Sequence, residues 1–172
     1  MADSRTKGAA FERDIVKRIN TFADDYDLGF TCKRNLDQYQ TSDLCDIRIP
    51  RHSIECKAYK SGWWFQTAWW KQVCEACGDD IPVLIYKFNN KPIRVCIPLY
   101  AINENLPRDN SRTAVITLDE WFELLKSSFL SQMEATPTLN LQDGTDYPHS
   151  GLFDMLHKGI RGNFAIKGHA DD

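Results

Sequence analysis

The stretch from Cys45 to Lys57 constrains the fold most strongly, because two short alternating patterns are separated there by a proline-containing turn. Apolar residues alternate with charged or polar ones on both sides of the turn, which is typical of half-buried strands. The pattern predicts two short strands, at residues 44–49 and 53–58, that lie next to each other as an antiparallel pair.

The side-chain period of a strand decides which charged groups of this stretch meet. Glu55 and Lys57 are two residues apart and therefore project from one face, and an antiparallel neighbour brings Asp46 to the same face. Adjacent carboxylates repel each other, whereas a bound divalent cation reverses that repulsion. The stretch predicts a metal site. The alternative is an amphipathic strand with a solvated charged face.

An amphipathic helix is predicted upstream, at residues 7–22. Its apolar positions recur at spacings of four, four and three residues: Phe11, Ile15, Ile19 and Phe22. Glu12 lies beside this apolar stripe, so we expect its carboxylate at the edge of the core, where it needs a partner. That partner is either the predicted site or a basic neighbour on the same helix, Arg13 or Lys17.

Several spaced motifs resemble those of the PD-(D/E)XK nucleases, and among these the archaeal Holliday-junction resolvases and their phage relatives. The resemblance covers residues 7–98 and is carried by Lys7-Gly8-Ala9-Ala10-Phe11-Glu12-Arg13, by Asp46 and by Ile54-Glu55-Cys56-Lys57-Ala58. It implies an α/β (α+β) fold, with a central mixed sheet flanked by helices in a restriction-endonuclease-like nuclease core. It also implies a metal-dependent DNA endonuclease whose catalytic residues are Glu12, Asp46, Glu55 and Lys57.

The resemblance further implies the metal ligands. Asp46, Glu55, the backbone carbonyl of Cys56 and Glu12 would hold one or two Mg²⁺ or Mn²⁺ ions, since hard cations take oxygen ligands. Lys57 would orient or deprotonate the attacking water and neutralise negative charge.

Further residues are candidates for contact with DNA. The phosphate contacts are expected from Lys7, Arg13, Arg34 and Lys60. In the resolvase-like nucleases a loop corresponding to residues 36–43 approaches DNA and carries a hydroxyl near the scissile phosphate, which would be Thr41 or Ser42 here. The alternative is an ordinary solvated loop. Gln66 is expected near the edge of the active site. No base-reading element is identifiable, which favours recognition of DNA shape, as in four-way junctions.

Four tryptophans fall within eight positions, at Trp63, Trp64, Trp69 and Trp70, and this aromatic run predicts a helix of about 12 residues that ends at Gly78. They cannot all face inward. The exposed ones either stack on nucleic-acid bases or form a dimer interface, and we favour the interface. The resemblance implies a homodimer, whose two-fold axis matches the approximate symmetry of a four-way junction.

The remaining elements complete the predicted domain organisation. Residues 29–35 are predicted to form a strand, residues 83–88 and 93–97 a hairpin, residues 113–117 a further strand and residues 121–130 a helix opened by a capping box. We assign residues 1–98 to the nuclease core and 99–134 to a strand and helix that pack on it. Residues 135–172 form an irregular tail with a short helical stretch at 152–157.

Charge and cysteine content limit the class of protein. The net charge of −3 argues against a general nucleic-acid binder, although residues 1–60 carry 11 Lys and Arg against 10 Asp and Glu. Six cysteines in a chain without an apolar leader are expected as reduced thiols. Zinc at Cys74 and Cys77 would need a second pair of ligands, and core packing suits the two thiols equally well. We expect a cytoplasmic protein, in the host cell if it is phage-encoded.

Two alternatives stay open. One is a restriction, repair or DNA-degrading nuclease with the same active site. The other is a catalytically silent module that retains the fold for DNA binding or dimerisation.

Overall fold

The computed structural model describes residues 4–35 and 45–134. Its elements, in chain order, are α1 (Ser4–Asp25), β1 (Ile47–Ile49), β2 (His52–Tyr59), α2 (Thr67–Ala76), β3 (Ile81–Phe88), β4 (Arg94–Pro98), a short 3-10 helix (Leu99–Ala101), β5 (Thr113–Thr117) and α3 (Leu118–Glu134).

The strands form one five-stranded sheet in the order β1-β2-β3-β4-β5. β2 and β3 are parallel, because α2 carries the chain back between them, and the other neighbours are antiparallel. The predicted mixed sheet is therefore confirmed.

The two faces of the sheet bury different sets of side chains. On one face, Ile54 and Ile85 pack with Ile15 of α1 and Trp121 of α3 in the larger core cluster. On the other face, α2 packs its buried side chains against Leu84, Tyr86 and Phe88, and these are Trp69, Trp70 and Val73. The sheet thus lies between α1 and α3 on one side and α2 on the other, which is the predicted helix-flanked arrangement.

One sequence prediction was wrong in detail. Residues 29–35 form only an isolated bridge between Arg34 and Ile47, because the side chain of Asn20 takes the place of a strand partner. Its Oδ1 accepts the N–H of Cys32 at 2.8 Å and its Nδ2 donates to the carbonyl of Cys32 at 3.0 Å. By contrast, the second helix agrees closely with its predicted length and end. It begins at Thr67, because the chain before it is extended at Gln66 (φ −88°, ψ 139°), so the aromatic run starts outside the helix.

Other local predictions are confirmed. β3, β4 and β5 coincide closely with the predicted hairpin and strand. The capping box at the start of α3 is present: the N–H of Thr117 donates to Glu120 Oε2 at 2.7 Å, and the N–H of Glu120 donates to Thr117 Oγ1 at 3.2 Å. All six cysteines are free thiols.

The first compact unit of the chain spans Met1–Thr136. The predicted tail at 135–172, with its helical stretch, lies outside the described residues, as do Thr41 and Ser42. The first unit unites the predicted core with residues 99–134, because β5 pairs with β4 and Trp121 of α3 is fully buried. Across residues 4–35 and 45–134, none of the helices has the length and apolarity needed to cross a membrane.

Candidate active site

The two motif carboxylates lie opposite each other on adjacent strands. β1 and β2 pair Ile47 with Ile54, and continuing this antiparallel register places Asp46 opposite Glu55, on the same face of the sheet. Both are buried, with exposed fractions of 5% for Asp46 and 3% for Glu55. The sequence prediction that these side chains share one face agrees with this register.

Asp46 is fixed by the backbone of β2. Its Oδ2 accepts the N–H of Cys56 at 2.7 Å, a hydrogen bond that a backbone carbonyl would supply if β1 extended further. The N–H and C=O of one strand residue point to the same side. The carbonyl of Cys56 therefore points to the side on which Asp46 lies.

Lys57 and Gln72 hold one oxygen of Glu55 between them. Lys57 Nζ donates to Glu55 Oε1 at 2.6 Å and to Gln72 Oε1 at 3.0 Å, while Gln72 Nε2 donates to the same Glu55 oxygen at 2.9 Å. The sequence did not indicate Gln72, and the role predicted for Gln66 stays a prediction. Gln66 is exposed and immediately precedes α2, whereas Gln72 follows Trp69 by three residues on α2 and so lies near the helix face that packs on the sheet.

The second oxygen of Glu55, Oε2, lies in a different environment from Oε1. Glu55 Oε2 is buried and has no hydrogen-bond partner within the part of the chain that the structure describes. Burial raises the pKa of Glu55 above its usual value, the positive charge of Lys57 opposes this, and the negative charge of Glu12 adds to it. A buried carboxylate oxygen of this kind is stabilised either by a proton or by a cation.

Glu12 approaches the site from α1 and pairs with a distant arginine. Its Oε2 accepts from Arg34 Nε at 2.6 Å and Nη2 at 2.5 Å. The partner is thus neither of the helix neighbours considered from the sequence. It is a residue that was predicted to contact phosphate, and that predicted role stays untested.

The pKa of the Cys56 thiol responds to the acidic groups around β2. Burial raises the pKa of its thiol well above the usual value, and the charges of Asp46, Glu55 and Glu12 each raise it further. Three carboxylates from α1, the start of β1 and β2 therefore act on one point of the sheet.

These groups fit a hard divalent cation. Two carboxylates and one backbone carbonyl are oxygen donors of the kind that Mg²⁺ and Mn²⁺ take, with water completing the coordination. Among residues 4–35 and 45–134, no group of three or more His, Cys, Asp or Glu side chains is placed to hold an ion. An ion would therefore rely on Asp46, Glu55, the Cys56 carbonyl and water, and Glu12 as a further ligand stays a prediction.

The remaining predicted DNA contacts lie apart from this cluster or at its margin. Lys7 Nζ donates to Asn89 Oδ1 at 2.6 Å, next to the end of β2. Arg13 and Lys60 are exposed to solvent.

The fold and this set of side chains define a PD-(D/E)XK nuclease. The chain belongs to the family described as "Phage putative PDDEXK endonuclease", whose model matches residues 3–142. A solved structure that is similar to the chain is that of Archaeoglobus fulgidus Hjc, a Holliday junction resolvase from an archaeal hyperthermophile. The two sequences are 19% identical, the match covers 70% of this chain and 98% of the resolvase chain, and the TM-score is 0.41. No curated protein sequence matches the chain.

Proposed function

We propose that the protein is a Mg²⁺- or Mn²⁺-dependent endodeoxyribonuclease that cleaves branched DNA, with the four-way junction as its main substrate, and that it acts as a homodimer in the cytoplasm of the cell that contains it. The observation that carries the proposal is the buried Oε2 of Glu55, which has no hydrogen-bond partner among the residues that the structure describes and lies beside Lys57 and opposite Asp46.

Asp46 and Glu55 are suited to hold the metal without moving. The hydrogen bond from the Cys56 N–H fixes Asp46, and the bonds from Lys57 and Gln72 fix Glu55 Oε1, which leaves Oε2 for the ion. A bound divalent ion would supply Lewis-acid chemistry, by lowering the pKa of water and by stabilising negative charge on the phosphate.

Lys57 supplies the positive charge of the protein at this point. Its ammonium group is held by Glu55 and Gln72, with 21% of its side chain exposed, so it faces the surface where a phosphate would arrive. There it orients the attacking water and stabilises charge that develops on the phosphate oxygens. Gln72 keeps Lys57 and Glu55 in register and acts as a positioning residue.

The preference for branched DNA rests on the sequence resemblance. The first-helix motif at residues 7–13 is one of the spaced motifs that resemble those of the resolvase-like nucleases, and its Glu12 is buried next to the site. A two-fold homodimer would place two such sites on the two symmetric strands of a junction. The net charge of −3 also disfavours tight binding to any duplex regardless of shape.

The test compares a four-way junction, a flap and a linear duplex at equal concentration, with Mg²⁺ and with EDTA. We expect paired symmetric nicks in the junction, only with the divalent ion. Asp46→Asn and Lys57→Ala should each lower the cleavage rate by at least about 100-fold, while junction binding measured without metal stays within about threefold of the wild type. The matched controls Asp24→Asn and Lys71→Ala change the same groups on the exposed surface and should cleave normally.

The outcomes separate the alternatives. Equal cleavage of all three substrates would refute the branch preference and favour a restriction, repair or DNA-degrading nuclease. Normal activity of Asp46→Asn would refute the proposed site. DNA binding without cleavage under any metal condition would favour the silent module.

A further inference from the structure

Two tryptophans are displayed on the surface between β2 and α2, in a segment that we call the tryptophan turn (residues 60–66). Trp63 is 80% exposed and Trp64 is 51% exposed. Their ring centroids are 5.9 Å apart, and Trp64 stacks on Phe65 at 5.6 Å with an interplanar angle of 28°. Large aromatic groups exposed together mark a binding surface.

The turn is held in one conformation. Gly62 has φ +134°, which other residues rarely adopt, and a side chain there would overlap the buried ring of Phe88, with Cζ at 2.7 Å. Phe65 packs against Tyr86 at 5.8 Å. The two exposed indoles therefore extend from a fixed base and need little ordering when they bind a partner.

The turn lies in line with the active site. Glu55, Lys57 and Tyr59 alternate along β2 and share the face of the sheet that α2 covers, where Tyr59 stacks on Trp69 at 4.6 Å. Each step of two residues spans about 6.7 Å, so Tyr59, the residue before the turn, lies about 13 Å beyond Glu55. That distance corresponds to about four stacked nucleotides of one strand.

The surroundings of the turn are basic although the chain is acidic overall. Residues 56–74 and 81–103 contain six Lys and Arg and no Asp or Glu. Two of the six, Lys57 and Lys71, pair with the flanking Glu55 and Glu75, and the other four are Lys60, Lys87, Lys91 and Arg94. The ends of β2 and β3 meet, since the N–H of Asn89 donates to the carbonyl of Tyr59 at 3.1 Å, and Lys7 bonds to Asn89. Lys60 directly follows Tyr59, Lys91 follows Asn89 by two residues, and both lysines are exposed.

A second copy of the chain fits this surface poorly. In a two-fold interface the same patch meets itself, which would bring Lys60 toward its own counterpart. Trp63, Trp64 and Tyr59 together offer on the order of 400 Å², about half of what each partner buries in a stable complex. Trp69 and Trp70 are buried against the sheet, so Trp63 and Trp64 are the exposed members of the four tryptophans.

We propose that the tryptophan turn is a stacking platform for unpaired bases of the DNA substrate, with Lys60 and Lys91 on the adjoining phosphates. Aromatic rings in a basic groove are the usual means of binding single-stranded nucleic acid. This inference rests on the proposed function in taking DNA as the partner. It adds that the enzyme engages nucleotides that are unstacked near the branch point, a few nucleotides from the bond that is cut.

The experiment measures binding of the full chain in EDTA to a fluorescein-labelled oligothymidylate and to a blunt duplex of equal length. We expect tighter binding to the single strand, and a loss of tenfold or more in affinity for it in the double variant Trp63→Ala/Trp64→Ala. The variant Trp63→Phe/Trp64→Phe keeps the rings and should stay within about threefold. Ile102→Ala removes an exposed apolar side chain at another position and serves as the control.

Two further readouts identify the contact. Binding should quench tryptophan fluorescence in the wild type but not in Trp63→Phe/Trp64→Phe, because the remaining tryptophans, Trp69, Trp70 and Trp121, are buried. Lys60→Gln/Lys91→Gln should reduce the slope of log affinity against log salt by about 1.4.

Unchanged single-strand affinity in Trp63→Ala/Trp64→Ala would overturn the inference, even if the wild type cleaves junctions as proposed. A wild-type dimer that dissociates in this variant, seen by sedimentation, would also overturn it and assign the turn to contact between copies. Tryptophan-dependent binding in a chain that cleaves no DNA would support the platform and refute the proposed function.

Discussion

The substitution Glu55→Gln tests the metal site without relying on catalysis. It removes one negative charge at the point where Glu55 Oε2 is buried without a partner among the described residues. The glutamine Oε1 can still accept hydrogen bonds from Lys57 and Gln72, as the carboxylate does. The local packing is therefore kept, and the affinity for a divalent cation is the property that changes.

The magnitude follows from linkage between binding and folding. An ion at 100 times its dissociation constant stabilises the folded state by about 2.7 kcal/mol, which raises the Tm of a chain of this size by about 5–10 °C. Asp46 and the Cys56 carbonyl are the donors left after the substitution. If losing the charged ligand weakens binding 100-fold, the same ion concentration stabilises the variant by about 0.4 kcal/mol, or about 1 °C.

The assay is thermal unfolding followed by near-UV circular dichroism, with Mg²⁺ at the concentration that saturates the wild type and with EDTA. Glu75→Gln is the matched control, because it makes the same change on the exposed side of α2, where Glu75 pairs with Lys71. We expect the full rise in Tm for the wild type and the control. An equal rise in Glu55→Gln would refute the assignment of Glu55 as a ligand.

In the absence of metal, we expect Glu55 to make the stability of the folded state depend on pH. Because burial raises the pKa of Glu55 in the folded state, the folded chain binds more protons than the unfolded chain at pH values above the usual pKa near 4.5. The stability that the protonated carboxyl contributes is present below that pH and is lost as the pH rises through the folded-state pKa. From pH 4 to pH 7, the free energy of unfolding measured with denaturant should therefore fall more in the wild type than in Glu55→Gln. Parallel curves of this free energy against pH would contradict burial as the cause of the raised pKa of Glu55.

Two further predictions concern residues around the site. Gln72→Ala should lower kcat about tenfold with little change in KM. It should also move the acid limb of the pH–rate profile to higher pH, because the Gln72 hydrogen bond lowers the pKa of Glu55. An unchanged profile would show that Gln72 does not position the site. Gly62→Ala should destabilise the fold by about 1–3 kcal/mol in urea unfolding, because the new methyl group overlaps the Phe88 ring. In the control Gly29→Ala, the residue also has a positive φ, but the new methyl group meets no atom within 4 Å. An equal loss of stability in the control would attribute the effect to backbone strain alone.

The strand pattern around the motif was readable from the sequence because it is local. Alternation of two residues fixes the face on which Glu55 and Lys57 lie, and the short turn at Pro50 brings Asp46 opposite Glu55. The capping box at Thr117 and the hairpin of β3 and β4 depend on equally short spans.

Partners from distant segments were not readable in this way. Arg34 pairs with Glu12, 22 residues away, and the sequence did not indicate this pair. Asn20 replaces the strand partner that residues 29–35 were expected to find. Such contacts depend on how α1 lies against the sheet, and no spacing in the sequence records that.

The sequence by itself determined the motif carboxylates, the lysine beside them and the mixed sheet that carries them, because side-chain direction in a strand follows from position alone. Tertiary structure decided which groups complete the site: Gln72 reaches Glu55 and Lys57 only because α2 packs its tryptophans on the sheet, and Trp63 and Trp64 stay exposed only because that helix begins after them. The physical reason is that helix placement is set by the shape of the buried surface, which forms only when distant segments pack together.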